Sequence, residues 1–339
     1  MQPFISILIP IHNEVDYIER CLNAVLHQDY SFDRLEVLIA DGMSDDGTQA
    51  VISRFQENYT QIYLYDNPGR IVPIGLNILI PNTKGEILIR VDGHCIIAPD
   101  YVSNCVRHLQ DSEVDGVGGP IQTIGEDFTS RVIALAMSSK FGVGNSSFRT
   151  EAGQTKFADT VPFPAYTRSI IDKVGLYDEE LVRNQDDEYN YRIRGNGGKI
   201  LLADDVRSTY YSRGSLGKLW KQYFQYGYWK VRVLQKHPKQ MSLRQLVPPV
   251  FVLGLITLLI MVAILKIGWI VFIGYTGLYL LANLATSIVI ACRKGCKYFW
   301  LLPVAFVTIH ISYGLGFLLG LMKFWNRWGD KIGKNSVLD

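Results

Sequence analysis

The chain has 339 residues, 48% hydrophobic and 19% charged, with a formal net charge of +2. That length suits one large domain or two smaller ones, and so small a charge gives no argument for a polyanionic partner. No basic tract interleaved with aromatics and no zinc-type cysteine spacing supports nucleic-acid binding. Cys21, Cys95, Cys105, Cys292 and Cys296 are dispersed and odd in number. They suit free thiols on the reducing side of a membrane better than a disulfide framework, with Cys292 and Cys296 read as loop and membrane-edge packing.

The average composition hides a change near residue 245: charges are scattered before it and nearly vanish for long spans beyond it. Phe4–Ile11 is apolar but short, lacks a basic leader and runs into Asn13-Glu14, so it is expected to be a first strand and not a signal peptide. Its near-continuous apolar character predicts a strand covered on both faces, stopped by Pro10. Asn13 is expected to cap a helix carrying Val15, Ile18, Leu22, Val25 and Leu26. Leu35–Ala40 predicts a second buried strand ending on Asp41-Gly42-Met43-Ser44-Asp45-Asp46-Gly47-Thr48, followed by a helix through Phe55. Ile62–Tyr65 predicts a third strand, Ile71–Ile80 a helix, and Ile87–Val91 a buried strand running into Asp92-Gly93-His94. Such alternation predicts an α/β domain with a largely parallel sheet and right-handed crossovers.

Carboxyl ends of strands in such a sheet face the ligand crevice. Asp92 and His94 leave the fourth strand there, and a carboxylate and an imidazole two residues apart can hold a divalent cation against phosphate oxygens. The plainer alternative is a turn with a capping Asp and a surface His. A dinucleotide-binding fold would need a glycine-rich turn after the first strand, and Pro10-Ile11-His12-Asn13-Glu14 contains no glycine. Acidic or amide side chains close three strands instead: Asn13 and Glu14, Asp41, and Asp92. Such groups accept hydrogen bonds from ribose hydroxyls and a base edge, and carboxylates coordinate a metal.

Ile9-Pro10-Ile11-His12-Asn13-Glu14, the Asp41–Thr48 run and Val91-Asp92-Gly93-His94 together resemble the family 2 glycosyltransferases, inverting enzymes of GT-A fold. Asn67-Pro68-Gly69-Arg70 with Gly75-Leu76-Asn77 is similar to the membrane-attached succinoglycan-type exopolysaccharide glycosyltransferases. The resemblance spans roughly residues 4 to 240 and implies a GT-A domain with a mixed, mainly parallel sheet. It implies that Pro10, Asn13, Glu14, Asp41 and Asp92 bind the nucleotide sugar. Asp92 matches the first acid of the family's Asp-x-Asp motif and His94 replaces the second, so Mg²⁺ or Mn²⁺ is expected on Asp92 and His94.

Farther along, a helix is expected through Val102, Val106 and Leu109, a glycine-rich strand over Gly116–Thr123, and an apolar helix over Phe128–Lys140. Phe141–Arg149 has the small residues of a mobile loop, either an acceptor-side lid or a plain connection. Asp186, Asp187 and Glu188 crowd together after Asn184-Gln185. Like charges this close can raise the pKa of a proton acceptor, and acids also suit an exposed first turn of a helix. The resemblance implies that Asp186 is the general base, with Asp187 as second choice; Gln185 replaces the family's Glu and Glu188 takes the later acid position. Ser215–His237 predicts an amphipathic helix, with Leu216, Leu219, Trp220, Tyr223, Phe224, Val231 and Leu234 on one face and Lys218, Lys221, Lys230, Arg232 and Lys236 mostly elsewhere. It reads as an interfacial helix or as ordinary packing. Gln225-Tyr226-Gly227-Tyr228-Trp229 is similar to the Gln-x-x-Arg-Trp motif of processive members, but Tyr228 stands where Arg would be. That argues against a polymer-extruding synthase and leaves Trp229 to stack on an acceptor sugar.

Residues 1–240 are therefore expected to form a cytoplasmic catalytic domain, 245–322 a membrane domain with spans at 246–265, 268–291 and 298–322, and 323–339 a short polar tail. Arg293, Lys294 and Lys297 should lie in the cytoplasm. The third span would then place Lys323, Arg327, Lys331 and Lys334 outside, unless the last segment is re-entrant. The expected activity is transfer from a nucleotide diphosphate donor, a UDP-hexose such as UDP-glucose, to a lipid-linked oligosaccharide. It would take place at the cytoplasmic (inner) membrane, in exopolysaccharide or cell-surface glycan synthesis. Membrane lipid and other glycan-assembly proteins are the expected partners, nucleic acid is not. The rival readings are a polyprenyl-phosphate glycosyltransferase and a non-catalytic membrane scaffold with a degenerate nucleotide-binding domain.

Overall fold

The computed structural model describes residues 2–150, 153–266 and 268–328. Lys331, Lys334 and the rest of the expected tail from 329 lie outside the described residues. The chain forms two compact units, one built from residues up to 122 and from 153–210, the other from 123–150 and 211–328. This division differs from the expected boundary near 240: the segment 123–150 and the helix from 216 group with the long apolar helices that follow.

In the first unit, β1 (Ile5–Ile11) is buried at every residue and runs parallel to β2 (Leu35–Asp41) on one side and β4 (Ile87–Arg90) on the other. β3 (Ile62–Asp66) extends the parallel ladder beyond β2. β9 (Ala165–Thr167) runs antiparallel to β4 and to β6 (Gly116–Gly118), and β10 (Ile200–Leu202) pairs with β6 and with the short β8 (Lys156–Phe157). The order is β3-β2-β1-β4-β9-β6-β10-β8, a mixed, mainly parallel sheet as expected. A second sheet joins β5 (Cys95–Ile97) antiparallel to β11 (Ser208–Tyr211), with β7 (Ile121–Ile124) on its other edge. The helices of this unit are α1 (Ile18–Leu26), α2 (Thr48–Asn58), α3 (Val72–Leu79), α4 (Tyr101–Asp111), α8 (Arg168–Val174) and α9 (Gln185–Gly195). α3 packs on β1 and β2, where Gly75 comes so close to Asn67, Ala40 and Pro10 that a Cβ would be crowded.

Several local expectations are corrected. Pro10 does not stop β1, which continues to Ile11. Leu8 accepts from Val91 on the β4 side and Ile11 from Gly42 on the β2 side, so the Pro10 nitrogen faces β4, whose ladder ends at Leu8. No hydrogen bond is forfeited there. Asn13 is not a helix cap: it has φ of 56°, in the left-handed region, and α1 begins only at Ile18. Gly116–Thr123 is two strands in two sheets.

In the second unit, α5 (Phe128–Met137) opens with a capping box from Asp127 and Ser130. The expected loop at 141–149 instead contains two helical turns, α6 (Lys140–Val143) and α7 (Ser147–Thr150). α10 (Leu216–Lys236) is followed by α11 (Leu243–Leu265), α12 (Trp269–Lys294) and α13 (Leu302–Lys323). The last three are long and apolar enough to cross a membrane. The third begins at Leu302, because Cys296–Trp300 forms a 3₁₀ turn. α10 packs along α13 through glycines: a methyl on Gly227 would run into the Tyr313 carbonyl, and one on Gly316 into that of Phe224. Lys230 and Arg232, expected on a polar face, are buried; Arg232 donates to Gln235 and the Arg327 carbonyl and lies over Phe324.

Candidate active site

Because β2, β1 and β4 are adjacent and parallel, their carboxyl ends open on one edge of the sheet, and the polar residues at 13–14, 41 and 92–94 meet there. The turn after β1 and the loop after β2 are zipped together. Asn13 Nδ2 donates to Asp45 Oδ1 at 2.9 Å, and Asp45 N donates back to Asn13 Oδ1 at 3.0 Å. Backbone N–H groups of Asn13, Glu14 and Val15 donate to Ser44, Thr48 and Asp46. Asp41 is fully buried and accepts from Ser44 N and Oγ and from Gln49, so its carboxylate shapes this loop. Gly42 passes so close to His12 and the Ile11 carbonyl that a Cβ would meet both at 3.0 Å.

Beyond β4 the charged groups are paired. Glu14 Oε1 lies 2.7 Å from His94 Nδ1. A carboxylate accepts, so Nδ1 carries the hydrogen and the ring is oriented by Glu14 with Nε2 as its other polar atom. The Glu14 side chain, expected on the nucleotide, is thus held by His94. The imidazole also meets the Tyr210 ring edge-on at 5.2 Å.

Arg90 is 6% exposed and forms the floor of the site. Its Nε and Nη2 donate to Asp92 Oδ1 at 3.2 and 2.8 Å, and its Nη1 donates to Asp186 Oδ1, 96 positions away in sequence. Asp186 arrives on the first turn of α9, which is fixed from behind. Glu188 is fully buried against Arg192, Tyr189 stacks on Tyr177 at 4.0 Å, and Tyr166 donates to Asn190. Glu188 therefore supports the helix from its buried side. Gln185 is 5% exposed, with its carbonyl oxygen unpartnered among the described residues.

The two acids titrate apart. Burial pushes Asp92 up, but Arg90 and His94 outweigh it and hold the carboxyl below its ordinary value. Burial also pushes Asp186 up; Arg90 opposes this while Asp92 and Asp187 add to it, leaving the carboxyl at about 6. One acid stays ionised and the other is poised to take a proton near neutrality.

Sequence alone did not single out Arg90. The signal was an arginine in the otherwise apolar Ile87–Val91 run, two residues before Asp92 and so on the same strand face. A charge in a buried strand seldom stands without partners. Trp229 falls in the second unit, where its indole packs on Tyr228 and Phe324.

Residues 6–176 match glycosyl transferase family 2. The chain belongs to that family. It is 30% identical, over 94% of its length and 98% of the relative's, to the dolichyl N-acetyl-alpha-D-glucosaminyl phosphate 3-beta-D-2,3-diacetamido-2,3-dideoxy-beta-D-glucuronosyltransferase of Methanococcus voltae. It is 29% identical to the succinoglycan biosynthesis protein ExoA of Rhizobium meliloti, over 95% of this chain and 96% of that one. Among solved structures, the mannosyltransferase PcManGT of Pyrobaculum calidifontis, in complex with GDP-Man and Mn²⁺, aligns with a TM-score of 0.60. That alignment covers 92% of this chain and 87% of the other at 17% identity, which establishes the GT-A fold.

The GT-A fold implies a divalent cation, and the donor set accommodates one. No cluster of three or more His, Cys, Asp or Glu side chains among the described residues would enclose a metal. One carboxylate, Asp92, and one imidazole oriented by Glu14, His94, would give an open, two-ligand set. Magnesium-type ions suit that arrangement, since they usually keep waters and substrate phosphates in their shell.

Proposed function

We propose that this glycosyltransferase moves a hexose, with inversion, from a nucleoside diphosphate donor of the UDP-hexose type to a hydroxyl of a lipid-linked saccharide. The reaction takes place at the cytoplasmic membrane face, in assembly of an exopolysaccharide or other surface glycan. The observation that carries this reading is the meeting of Asp92 and Asp186 on the single Arg90 guanidinium, at the carboxyl ends of the parallel strands. Asp186 accepts the hydroxyl proton as the acceptor oxygen attacks the anomeric carbon and the bond to the diphosphate breaks. Asp92 and His94 would hold the cation, which supplies charge neutralisation to the departing diphosphate. The loop 41–48, anchored on the buried Asp41, and the turn at 13–14 shape the wall for the nucleoside.

The relative from Methanococcus voltae is named for a dolichyl-phosphate-linked sugar acceptor, which supports a lipid-linked saccharide here. Transfer onto a polyprenyl phosphate itself fits less well. A phosphate is already ionised at neutral pH and needs no base, whereas a hydroxyl needs the group that Asp186 supplies.

The test is transfer from a panel of labelled UDP- and GDP-hexoses into a membrane lipid extract with Mn²⁺, followed by identification of the lipid product. Asp186→Asn should lower the rate by about 10²–10⁴-fold while retaining UDP·Mn²⁺ binding. An Asp186→Asn enzyme with near-full transfer would remove the base from this reading. A product carrying sugar on a bare polyprenyl phosphate would replace the acceptor.

A further inference from the structure

Arg90 spans the two halves of the proposed reaction, and its contacts are unevenly distributed over the acids it holds. Both hydrogen bonds to Asp92 go to Oδ1, and the bond to Asp186 also goes to Oδ1. The described residues donate no hydrogen bond to Oδ2 of either acid. The guanidinium is nearly buried, whereas the Asp92 and Asp186 side chains keep 23% and 31% of their exposure. The second oxygen of each acid is thus left for a ligand.

We propose that Arg90 is the positioning residue of the transfer: one rigid guanidinium sets the spacing between the cation-binding oxygen of Asp92 and the proton-accepting oxygen of Asp186. This rests on the reading of Asp186 as base and Asp92 as cation ligand. Without a cation between them the two carboxylates would repel each other. A point charge would relieve the repulsion but would not fix two directions at once. Guanidinium is planar and presents its N–H groups in a fixed fork, and it stays charged at any working pH; an ammonium group on a flexible stem does not reproduce that fork. β4, inside the sheet between β1 and β9, carries Arg90 from one side. α9 brings Asp186 from the other side. Arg90 therefore joins donor and acceptor chemistry across elements that are remote in sequence.

The test uses Arg90→Lys in the full chain in detergent. Its readouts are the affinity for Mn²⁺ in the presence of UDP, followed by electron paramagnetic resonance of the free ion, and kcat for transfer of the sugar the wild type transfers into membrane lipid extract. Lysine keeps the charge, so Mn²⁺·UDP affinity should stay within about threefold of wild type. The base is misplaced, so kcat should fall about 10²-fold, the scale expected for a small displacement of a reacting group. Placing Arg90→Lys on top of Asp186→Asn should cost little more than Asp186→Asn alone, because both act through one carboxylate.

A lysine enzyme with wild-type kcat would overturn the inference, as would full additivity with Asp186→Asn or parallel loss of Mn²⁺ binding, kcat and thermal stability. Arg90→Gln is the second variant, and failure of both to fold would assign Arg90 to stability and end the proposal. The two levels fail separately. An active Asp186→Asn enzyme removes the base reading, whereas an inactive Asp186→Asn beside a fully active Arg90→Lys removes only the role of Arg90.

Discussion

A carboxyl group that must take a proton from a sugar hydroxyl works best when its own pKa lies near the working pH. Asp186 meets that condition through burial and through its neighbours Asp92 and Asp187, with Arg90 pulling in the other direction. Below about 6 the group already carries a proton and accepts no other. The rate kcat/KM should therefore rise about tenfold per pH unit up to about 6 and level off above it. Asp92 is held low and stays ionised across this range, so it adds no second limb near 6. Replacing Asp187 with Asn removes one of the charges that raises Asp186, and should move the limb to lower pH with transfer retained. A pH–rate series on wild type and Asp187→Asn checks both points. Abolition of transfer in Asp187→Asn would make that residue the base instead.

At the scale of elements, the join between α10 and α13 is the most demanding contact in the second unit. Gly227, Gly316 and Gly320 bring one helix backbone against the other, and Val231, Leu234, Phe317 and Phe324 fill the seam below. Gly316→Val would push a branched side chain into the Phe224 carbonyl and should destabilise the unit by about 2–3 kcal/mol. Gly217→Ala has open space around it and serves as the control. Thermal unfolding in detergent, followed by tryptophan fluorescence, would separate the two; equal midpoints would show that the helices are not so closely joined.

Helix α10 was legible in sequence from its 3.6-residue period, and β1, β2 and β4 from unbroken apolar runs. The polar ends of those strands were legible for the same reason, since a strand's last residue marks the sheet edge. What escaped were features decided by tertiary partners. Lys230 and Arg232 read as surface charge, yet Arg232 is buried because Gln235, Phe324 and the Arg327 carbonyl satisfy it. The segment at 141–149 read as loop because of the small residues Gly142, Gly144, Ser146 and Ser147. His310 holds it instead, donating from Nε2 to the Phe141 carbonyl while Nδ1 accepts from Tyr279. Pairing Arg90 with Asp186 required a separation of 96 positions that no local pattern encodes.

For the whole molecule, the decisive question is how three spans can coexist with basic residues beyond the third. α11 and α12 have only 17% of their most apolar window buried and present Leu253, Leu259, Ile270 and Leu281 outward, as lipid-facing helices do. α13 is 56% buried over the same measure, enclosed by α10, α11 and α12, with Ser312 and Thr308 turned onto its own backbone. Packing of that extent outweighs a loop-charge preference, and a third crossing is compatible with Lys323 and Arg327 beyond it. From the proposed cytoplasmic catalytic domain, two crossings would return the chain to the cytoplasm at the end of α12 and the connector after it, where Arg293, Lys294 and Lys297 lie. The same connector holds Cys296, exposed as Cys292 is, while Cys21, Cys95 and Cys105 are buried. A bulky, membrane-impermeant maleimide should therefore label the native protein in inside-out vesicles and leave it unlabelled in intact cells, and replacing both Cys292 and Cys296 with Ser should remove most of that signal. Labelling from the outer face would place the connector outside, and the in-out-in path would have to be redrawn with one crossing fewer before it.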